Sequence, residues 1–223
     1  MPNFRKLIFS AAALLVFAGA SLTVRADTIT ITGVDSGQFS TATVVCEFNA
    51  QTNTFTFTIT NTSAITQPGS TSTITGIGFD LPPIGNASAS GLNGFTGMQA
   101  PSMSANFTFS DGDVGNVPHG FNSAVLDFAF LTGNNFNGGS PNLGLTPGES
   151  ASFIVSGAAF AGFTEAQICN AIFVRFQNVP LAGGSEGSDV GTPGEIPEPS
   201  SLLLLGTALV GVSGYARRRF KRK

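Results

Sequence analysis

The run Asn53-Thr54-Phe55-Thr56-Phe57-Thr58-Ile59-Thr60 decides the fold class of this chain. Its phenylalanine and isoleucine side chains alternate with threonines, so an extended backbone carries an apolar face and a hydroxyl-bearing face. β-branched and aromatic residues also favour strands. The run therefore predicts a β-strand with one buried face.

The same alternation recurs on both sides of this run. Further segments of this kind are Thr28–Thr32, Thr41–Phe48, Thr71–Phe79, Ser104–Ser110, Ala124–Leu131, Ser150–Ser156 and Ala171–Gln177. Turn-forming stretches such as Thr146-Pro147-Gly148 separate them. About eight short strands predict an all-β fold, an antiparallel β-sandwich of two packed sheets that is Ig-like or jelly-roll-like.

One short helix is predicted near the end of this region. Thr164 and Gln167 are spaced as the two members of a capping box, and Phe163 and Ile168 as the hydrophobic staple beside it. Only one or two helical turns fit before the strand that starts at Ala171.

The first residues have the pattern of a secretory signal. Arg5 and Lys6 precede an apolar stretch over residues 7–22, and Val24-Arg25-Ala26 offers a signal-peptidase site. We expect a signal peptide over residues 1–26, cleaved between Ala26 and Asp27. An uncleaved N-terminal membrane anchor is the alternative.

The last residues combine three features in order. Pro197-Glu198-Pro199 precedes an apolar segment, residues 200–215, which as a helix is about 24 Å long. This is slightly short of a bilayer core of about 30 Å, but local thinning allows it to span. The cations that follow stop transfer and stay cytoplasmic, which places residues 27–199 outside the inner membrane. They are Arg217, Arg218, Arg219, Lys221, Arg222 and Lys223.

A Pro-Glu-Pro triplet, a single apolar transmembrane helix and a terminal basic cluster together resemble the PEP-CTERM sorting signal of exported bacterial proteins. The resemblance implies an exosortase, a membrane-embedded cysteine protease, as processing partner, with cleavage near Pro197-Glu198-Pro199. It also implies a Gram-negative bacterium that makes extracellular polysaccharide. A plain C-terminal membrane anchor without processing is the alternative.

These segments define a domain organisation. We expect a signal peptide (1–26), a β-sandwich ectodomain (27–181), a flexible linker rich in Gly, Ser and acidic residues (182–196) and the sorting signal (197–223). Before processing the chain would be anchored in the inner membrane, and afterwards it would lie at the cell surface or outside the cell.

Charge is distributed unevenly. Nine of the ten Lys and Arg residues lie in the signal peptide or the tail, and only Arg175 lies between them. All thirteen acidic residues lie between Asp27 and Glu198, so the exported segment carries a net charge of −12. Nucleic acid is excluded as a partner, because binding it requires a basic patch.

The aromatic residues of the ectodomain are all phenylalanine. The chain has no Trp, and its single Tyr is Tyr215 in the tail. Phenylalanine fills cores and offers no polar group to a ligand. This argues against a sugar-binding surface built on Trp and Tyr.

The two cysteines, Cys46 and Cys169, both lie in the exported segment. An oxidising compartment favours a disulfide between them. Two free, buried thiols are the alternative.

Sites for chemistry are few. His119, the only histidine, lies in a predicted loop and is expected to pack in a turn or at the surface, since no Ser-His-Asp motif is recognisable around it. Asp111-Gly112-Asp113-Val114-Gly115-Asn116 alternates oxygen ligands as calcium loops do, but Gly115 stands where a ligand is needed. A solvated turn is favoured there, and neither a metal nor a cofactor is expected.

Four carboxylates, Asp80, Asp127, Glu149 and Glu165, are available for glycoside hydrolysis, but no spacing singles out a pair. Alternation places Asp127 on the face opposite Phe128, so it is expected to point outward. The sequence therefore predicts a non-enzymatic structural or surface protein of the cell envelope or extracellular matrix, with extracellular polysaccharide as a candidate partner. The alternative is a carbohydrate-binding or carbohydrate-active extracellular domain.

Overall fold

The computed structural model describes residues 27–65, 71–83, 91–101, 105–112, 114–180 and 186–194. The predicted signal peptide, the apolar segment 200–215 and the sorting signal lie outside these ranges. Within them, no helix has the length and apolar character needed to cross a membrane.

Almost all regular structure is strand, as predicted. The described residues contain ten strands: β1 (Asp27–Gly33), β2 (Gly37–Asn49), β3 (Thr54–Asn61), β4 (Thr73–Phe79), β5 (Thr96–Gln99), β6 (Thr108–Asp111), β7 (Phe128–Leu131), β8 (Ser150–Ser156), β9 (Ile172–Pro180) and β10 (Glu186–Pro193). In the described part of the chain, a single short α-helix, α1 (Glu165–Cys169), precedes β9, and 3-10 turns lie at Pro141–Leu143 and Ala158–Phe160. Each of the eight predicted segments contains or overlaps a strand.

The strands form one continuous antiparallel sheet in the order β5-β8-β3-β2-β1-β10-β9-β4-β7-β6. The predicted pair of packed sheets is therefore wrong, although the antiparallel all-β class is right. The sheet curls until its edge strands β5 and β6 contact each other, so that it nearly closes. Side-chain alternation reveals which face of a strand is buried but does not specify how many sheets the strands form.

Phenylalanine rings fill the inside of the curled sheet. The ring of Phe57 stacks on Phe153 at 4.9 Å and meets Phe79 edge-on at 5.2 Å. On the outer face of the same strand, the hydroxyl of Thr58 lies 2.7 Å from that of Ser152. The two-faced strand predicted for residues 53–60 is confirmed.

A second apolar cluster lies on the outside of the sheet. Its members come from β7, β10 and the connections on either side of β7, and they are Val114, Val117, Leu126, Ala129, Leu131, Phe136 and Val190. Strand β7 is consequently buried on both faces. This cluster holds the connection between β6 and β7 against the sheet and so brings His119 towards β10.

Strand β10 corrects the predicted linker. Residues 186–193 pair with both β1 and β9, which makes β10 an interior strand of the sheet. Its glycines permit close packing: a Cβ on Gly191 would come within 2.6 Å of Ile31 Cγ2. The glycines and serines of residues 186–193 allow close packing between strands. A flexible linker has a similar composition, so composition alone does not separate the two cases. Residues 182–185, 195 and 196 of the predicted linker lie outside the described ranges.

Candidate functional site

The imidazole of His119 is held by an unusual backbone conformation. His119 has φ of +61° and the following Gly120 has φ of +90°, so the chain passes through the left-handed region twice in succession. Histidine tolerates that region better than most residues. The turn points the imidazole ring towards two other segments of the chain. Only 20% of the side chain is exposed.

Two side chains contact the ring, one on each nitrogen. Nδ1 contacts the carboxylate of Asp35, which lies at the tip of the hairpin between β1 and β2. Nε2 lies 3.4 Å from the hydroxyl of Ser188 on β10. The ring therefore bridges the hairpin tip and an interior strand. These are more contacts than the predicted packing in a turn or at the surface requires.

Asp189 binds the backbone of the hairpin tip from the buried side. Its side chain is fully buried, and its carboxylate accepts hydrogen bonds from the backbone N–H groups of Ser36 at 2.9 Å and Asp35 at 3.2 Å. Glycine is required opposite it, because a Cβ on Gly33 would come within 2.1 Å of Asp189 Oδ2. We call Asp35, His119, Ser188 and Asp189 the His119 cluster.

The chemistry open to the His119 cluster follows from its donor atoms. One ligand atom from each of Asp35, His119 and Asp189 lies within 4.8 Å of the others. One imidazole nitrogen and two carboxylate oxygens form a donor set suited to borderline divalent ions. The order Ser188–His119–Asp35 also matches a nucleophilic triad, but 3.4 Å exceeds the usual reach for proton transfer of about 2.6–3.2 Å. The contact of the ring with Asp35 is therefore closer than its contact with Ser188.

Arg175 is buried near the cluster, with 5% of its surface exposed. Burial lowers the pKa of its guanidinium, and the negative charge of Asp189 raises that pKa. Its Nη2 donates to the carbonyl of Asn137 at 3.4 Å. Asp189 therefore attracts Arg175 electrostatically, and no ion-pair contact joins the two residues within the part of the chain that the structure describes.

Asp127 is buried, contrary to the predicted outward orientation. Only 3% of it is exposed, and its carboxylate accepts the backbone N–H groups of Leu81, at 2.7 Å, and Leu92. It precedes the first residue of β7, so strand alternation does not apply to it. Burial raises the pKa of Asp127 to about 6, the two hydrogen bonds oppose that rise, and the charge of Asp80 adds to it.

Each of the other candidate carboxylates has its own backbone contacts, and Asp80 is also close enough to Asp127 for its charge to act on it. Glu165 accepts the N–H of Phe48 at 2.8 Å, and Glu149 that of Thr146 at 2.8 Å. Asp80 lies in a cleft of about 400 Å³, where burial raises its pKa and a hydrogen bond with the backbone of Val125 lowers it. The lining of the cleft is completed by Pro82, Ala166, Gln167, Asn170 and Ala171. The other three of the four carboxylates accept hydrogen bonds from backbone N–H groups: Asp127 and Glu149 from loops or turns, and Glu165 from strand β2.

The carboxylate of Asp111, from the loop considered for calcium, also binds backbone N–H groups. Its two carboxylate oxygens accept the N–H groups of Gly94 at 2.9 Å and Phe95 at 3.1 Å. Asp113, the next oxygen ligand in that pattern, lies outside the described residues.

The predicted disulfide is confirmed. Cys46 on β2 is bonded to Cys169 at the end of α1, with a Cα–Cα distance of 6.2 Å. The capping box at the start of α1 is also confirmed: Thr164 accepts the N–H of Gln167, and the Gln167 side chain accepts the N–H of Thr164. The helix is therefore fixed at both of its ends.

Comparison with protein families identifies the C-terminal segment. A family model described as the PEP-CTERM protein-sorting motif matches residues 195–219. The chain carries a PEP-CTERM sorting motif. The match includes the predicted Pro197, Glu198 and Pro199 and the first three cations of the tail, and it ends before Lys221, Arg222 and Lys223. No curated protein and no solved structure matches the chain.

The PEP-CTERM motif implies an exported protein with a membrane-anchored sorting signal that an exosortase recognises. Strand β10 ends at Pro193, and the PEP-CTERM motif begins at residue 195. The motif therefore follows an interior strand of the sheet almost directly, without the long tether that the sequence predicts.

Proposed function

We propose that this chain is a non-enzymatic structural protein of the cell envelope or extracellular matrix. After export, its all-β domain is anchored by the C-terminal helix until an exosortase cuts near Pro197-Glu198-Pro199. The observation that carries the proposal is the PEP-CTERM motif at residues 195–219, immediately after the folded domain.

The disulfide and the net charge of the domain support an extracellular location. The disulfide joins residues 123 positions apart, and such bonds persist in oxidising compartments. A net charge of −12 over residues 27–199 favours solubility and disfavours adhesion to anionic polymers.

The outer face of the sheet supports a surface role. Strands β3 and β8 present paired hydroxyls to solvent, among them Thr60 and Ser150, whose oxygens lie 2.7 Å apart. Cross-strand hydroxyl pairs stabilise a sheet without adding charge. Such a face suits contact with a neutral, hydrated polymer, and an uncharged extracellular polysaccharide is the partner that we propose.

Cell fractionation tests the processing step. The intact mass of the chain is measured in each fraction, in cells with and without the exosortase. We expect the extracellular or surface form to begin at Asp27 and to end near residues 197–199. Cells that lack the protease should retain a form with its tail in the inner membrane.

A variant with Pro197→Ala, Glu198→Ala and Pro199→Ala should behave in normal cells as the wild type does without the protease. Glu47→Gln, which removes an exposed acid outside the motif, is the matched control and should be processed normally. Full-length chain dissolved in the cytosol would contradict the proposal. A hydrolytic activity on a polysaccharide would favour the carbohydrate-active alternative.

A further inference from the structure

We propose that Asp35, His119 and Asp189 bind one divalent transition-metal ion of the Zn²⁺ type. Three segments that are distant in sequence supply the ligands: the hairpin tip after β1, the connection between β6 and β7, and β10. The site is independent of the sorting signal, so its test does not depend on the proposed function.

The donor set selects the class of ion. The three ligand atoms lie within 4.8 Å of one another, and an ion with metal bonds of about 2.0–2.2 Å would replace the direct contact between His119 Nδ1 and the Asp35 carboxylate and draw Asp189 closer. An imidazole nitrogen suits zinc and its neighbours in the transition series, whereas calcium is bound by oxygen ligands alone. Three protein ligands leave at least one position for water.

Histidine ligands normally use one ring nitrogen for the metal and donate the other N–H to a neighbouring group. With the metal at Nδ1, between the two carboxylates, Nε2–H of His119 points at the hydroxyl of Ser188, 3.4 Å away. Ser188 would then fix the tautomer and the plane of the ring. Its contribution is that of a positioning residue.

Asp189 can release a lone pair without disturbing the backbone. Its Oδ2 accepts both the N–H and the hydroxyl of Ser36. The Ser36 hydroxyl has one proton and a second acceptor, the hydroxyl of Ser40 at 2.6 Å. When that proton turns to Ser40, one lone pair of Asp189 Oδ2 becomes free for a metal, while the N–H bonds from Asp35 and Ser36 still hold the carboxylate in place.

Charge at the site favours a cation. Asp35 and Asp189 bring two negative charges, and Arg175 is the single basic residue among the described residues that can offset them. A bound divalent ion commonly provides the largest local charge in such a site. The Asp35 side chain is 59% exposed, so an ion reaches the buried Asp189 from the hairpin tip.

Calorimetric titration tests this site. The full chain, purified in detergent and freed of metals with a chelator, is titrated with Zn²⁺ and separately with Ca²⁺. We expect one Zn²⁺ per chain, Zn²⁺ binding at least tenfold tighter than Ca²⁺, and a rise in the unfolding temperature on saturation.

Two ligand variants and one control distinguish Zn²⁺ binding at this site from nonspecific Zn²⁺ binding to acidic side chains. Asp35→Asn removes a carboxylate, and His119→Asn removes the imidazole while keeping a residue type that tolerates positive φ. Each should weaken Zn²⁺ binding at least tenfold and abolish the rise in unfolding temperature. Glu47→Gln removes an exposed acid from β2 and should change neither.

Three results would overturn the site: no saturable Zn²⁺ binding to the wild-type chain, equal affinity in the wild type and in folded His119→Asn, or Ca²⁺ affinity as high as that for Zn²⁺. Far-ultraviolet circular dichroism confirms that each variant is folded. Should His119→Asn not fold, Asp35→Asn alone decides, because the exposed Asp35 carboxylate is dispensable for the core.

Discussion

Gly97 of β5 lies directly beneath the ring of Phe109 of β6: a Cβ on Gly97 would come within 2.2 Å of the ring atom Cδ2. These strands are the two edges of the sheet, so this contact is where the sheet nearly closes. Side chains complete the junction. Gln99 donates to the carbonyl of Ala105 at 2.9 Å and accepts the N–H of Phe107 at 2.7 Å.

Gly97→Ala should therefore destabilise the domain although alanine is a small residue. The added methyl group must displace the Phe109 ring or separate the edge strands, and overpacking of this kind costs about 1–3 kcal/mol. Urea unfolding, followed by circular dichroism, measures the change. Gly194→Ala is the matched control, since its Cβ would meet no atom within 4 Å. Equal stability of the two variants would show that the edge strands do not pack as described.

Asp127 should make the domain more stable in mild acid than at neutral pH. Its pKa is about 6 in the folded state against an ordinary 3.8, so between these values the folded chain binds more protons than the unfolded chain. Stability from this group is fully present below about pH 3.8 and is lost as the pH rises through about 6. The difference corresponds to an upper value of about 3 kcal/mol.

The measurement is the free energy of unfolding at a series of pH values, in the wild type and in Asp127→Asn. The variant loses one acceptor for the N–H groups of Leu81 and Leu92, so its stability falls at every pH. The informative quantity is the slope between pH 4 and pH 6, which should flatten in Asp127→Asn and persist in Glu47→Gln. An unchanged slope in Asp127→Asn would assign the pH dependence to other groups, Asp80 first among them.

The boundary of the folded domain lies after β10, which gives a direct test by truncation. A chain of residues 27–181, the predicted ectodomain, lacks the strand that pairs with both β1 and β9. It would expose two strand edges in the middle of the sheet and remove the buried Asp189 beneath the hairpin tip. We expect residues 27–194 to unfold cooperatively and residues 27–181 to aggregate or remain unfolded.

Heteronuclear NMR spectra of the two chains check this expectation, with dispersed amide signals only for residues 27–194. A folded spectrum for residues 27–181 would mean that β10 is dispensable, and it would restore the linker interpretation. Adding a peptide of residues 182–194 to the shorter chain gives a second measurement, because a missing strand can be supplied in trans.

The contrast between β3 and β10 shows what the sequence reveals and what it conceals. Phe55, Phe57 and Ile59 alternate with threonines because one face of β3 is core and the other is solvent. In β10, Ile31 lies too close to Gly191 for a larger side chain to fit there. The strand therefore lacks the apolar alternation seen in the others. Strand β5 reads Thr96-Gly97-Met98-Gln99, which contains no alternation of apolar and polar side chains to detect.

The His119 cluster is hidden from sequence reasoning for a different reason. Asp35, His119 and Ser188 are separated by 84 and 69 positions, and only the pairing of β1 with β10 brings the hairpin tip to Ser188 and Asp189. A lone histidine between proline and glycine was a usable signal for a constrained turn. Nothing in the sequence identified its partners, whereas the two cysteines were each other's only possible partner within the chain.

The disulfide between Cys46 and Cys169 should contribute much of the stability of the exported domain. Closing a loop of 123 residues is worth about 4–5 kcal/mol in the chain-entropy account, which is an upper value. Other contacts hold α1 on the sheet without the bond, since Glu165 accepts the N–H of Phe48 and Ile168 is buried. We therefore expect Cys46→Ala with Cys169→Ala to fold to the same structure with a markedly lower free energy of unfolding.

Reduction provides the matched control for that variant. Wild-type chain treated with a reductant should gain the mass of two hydrogen atoms and unfold at nearly the same urea concentration as the double variant. The double variant itself should not respond to reductant. A wild-type chain whose mass and stability are both insensitive to reduction under unfolding conditions would show that the thiols are free.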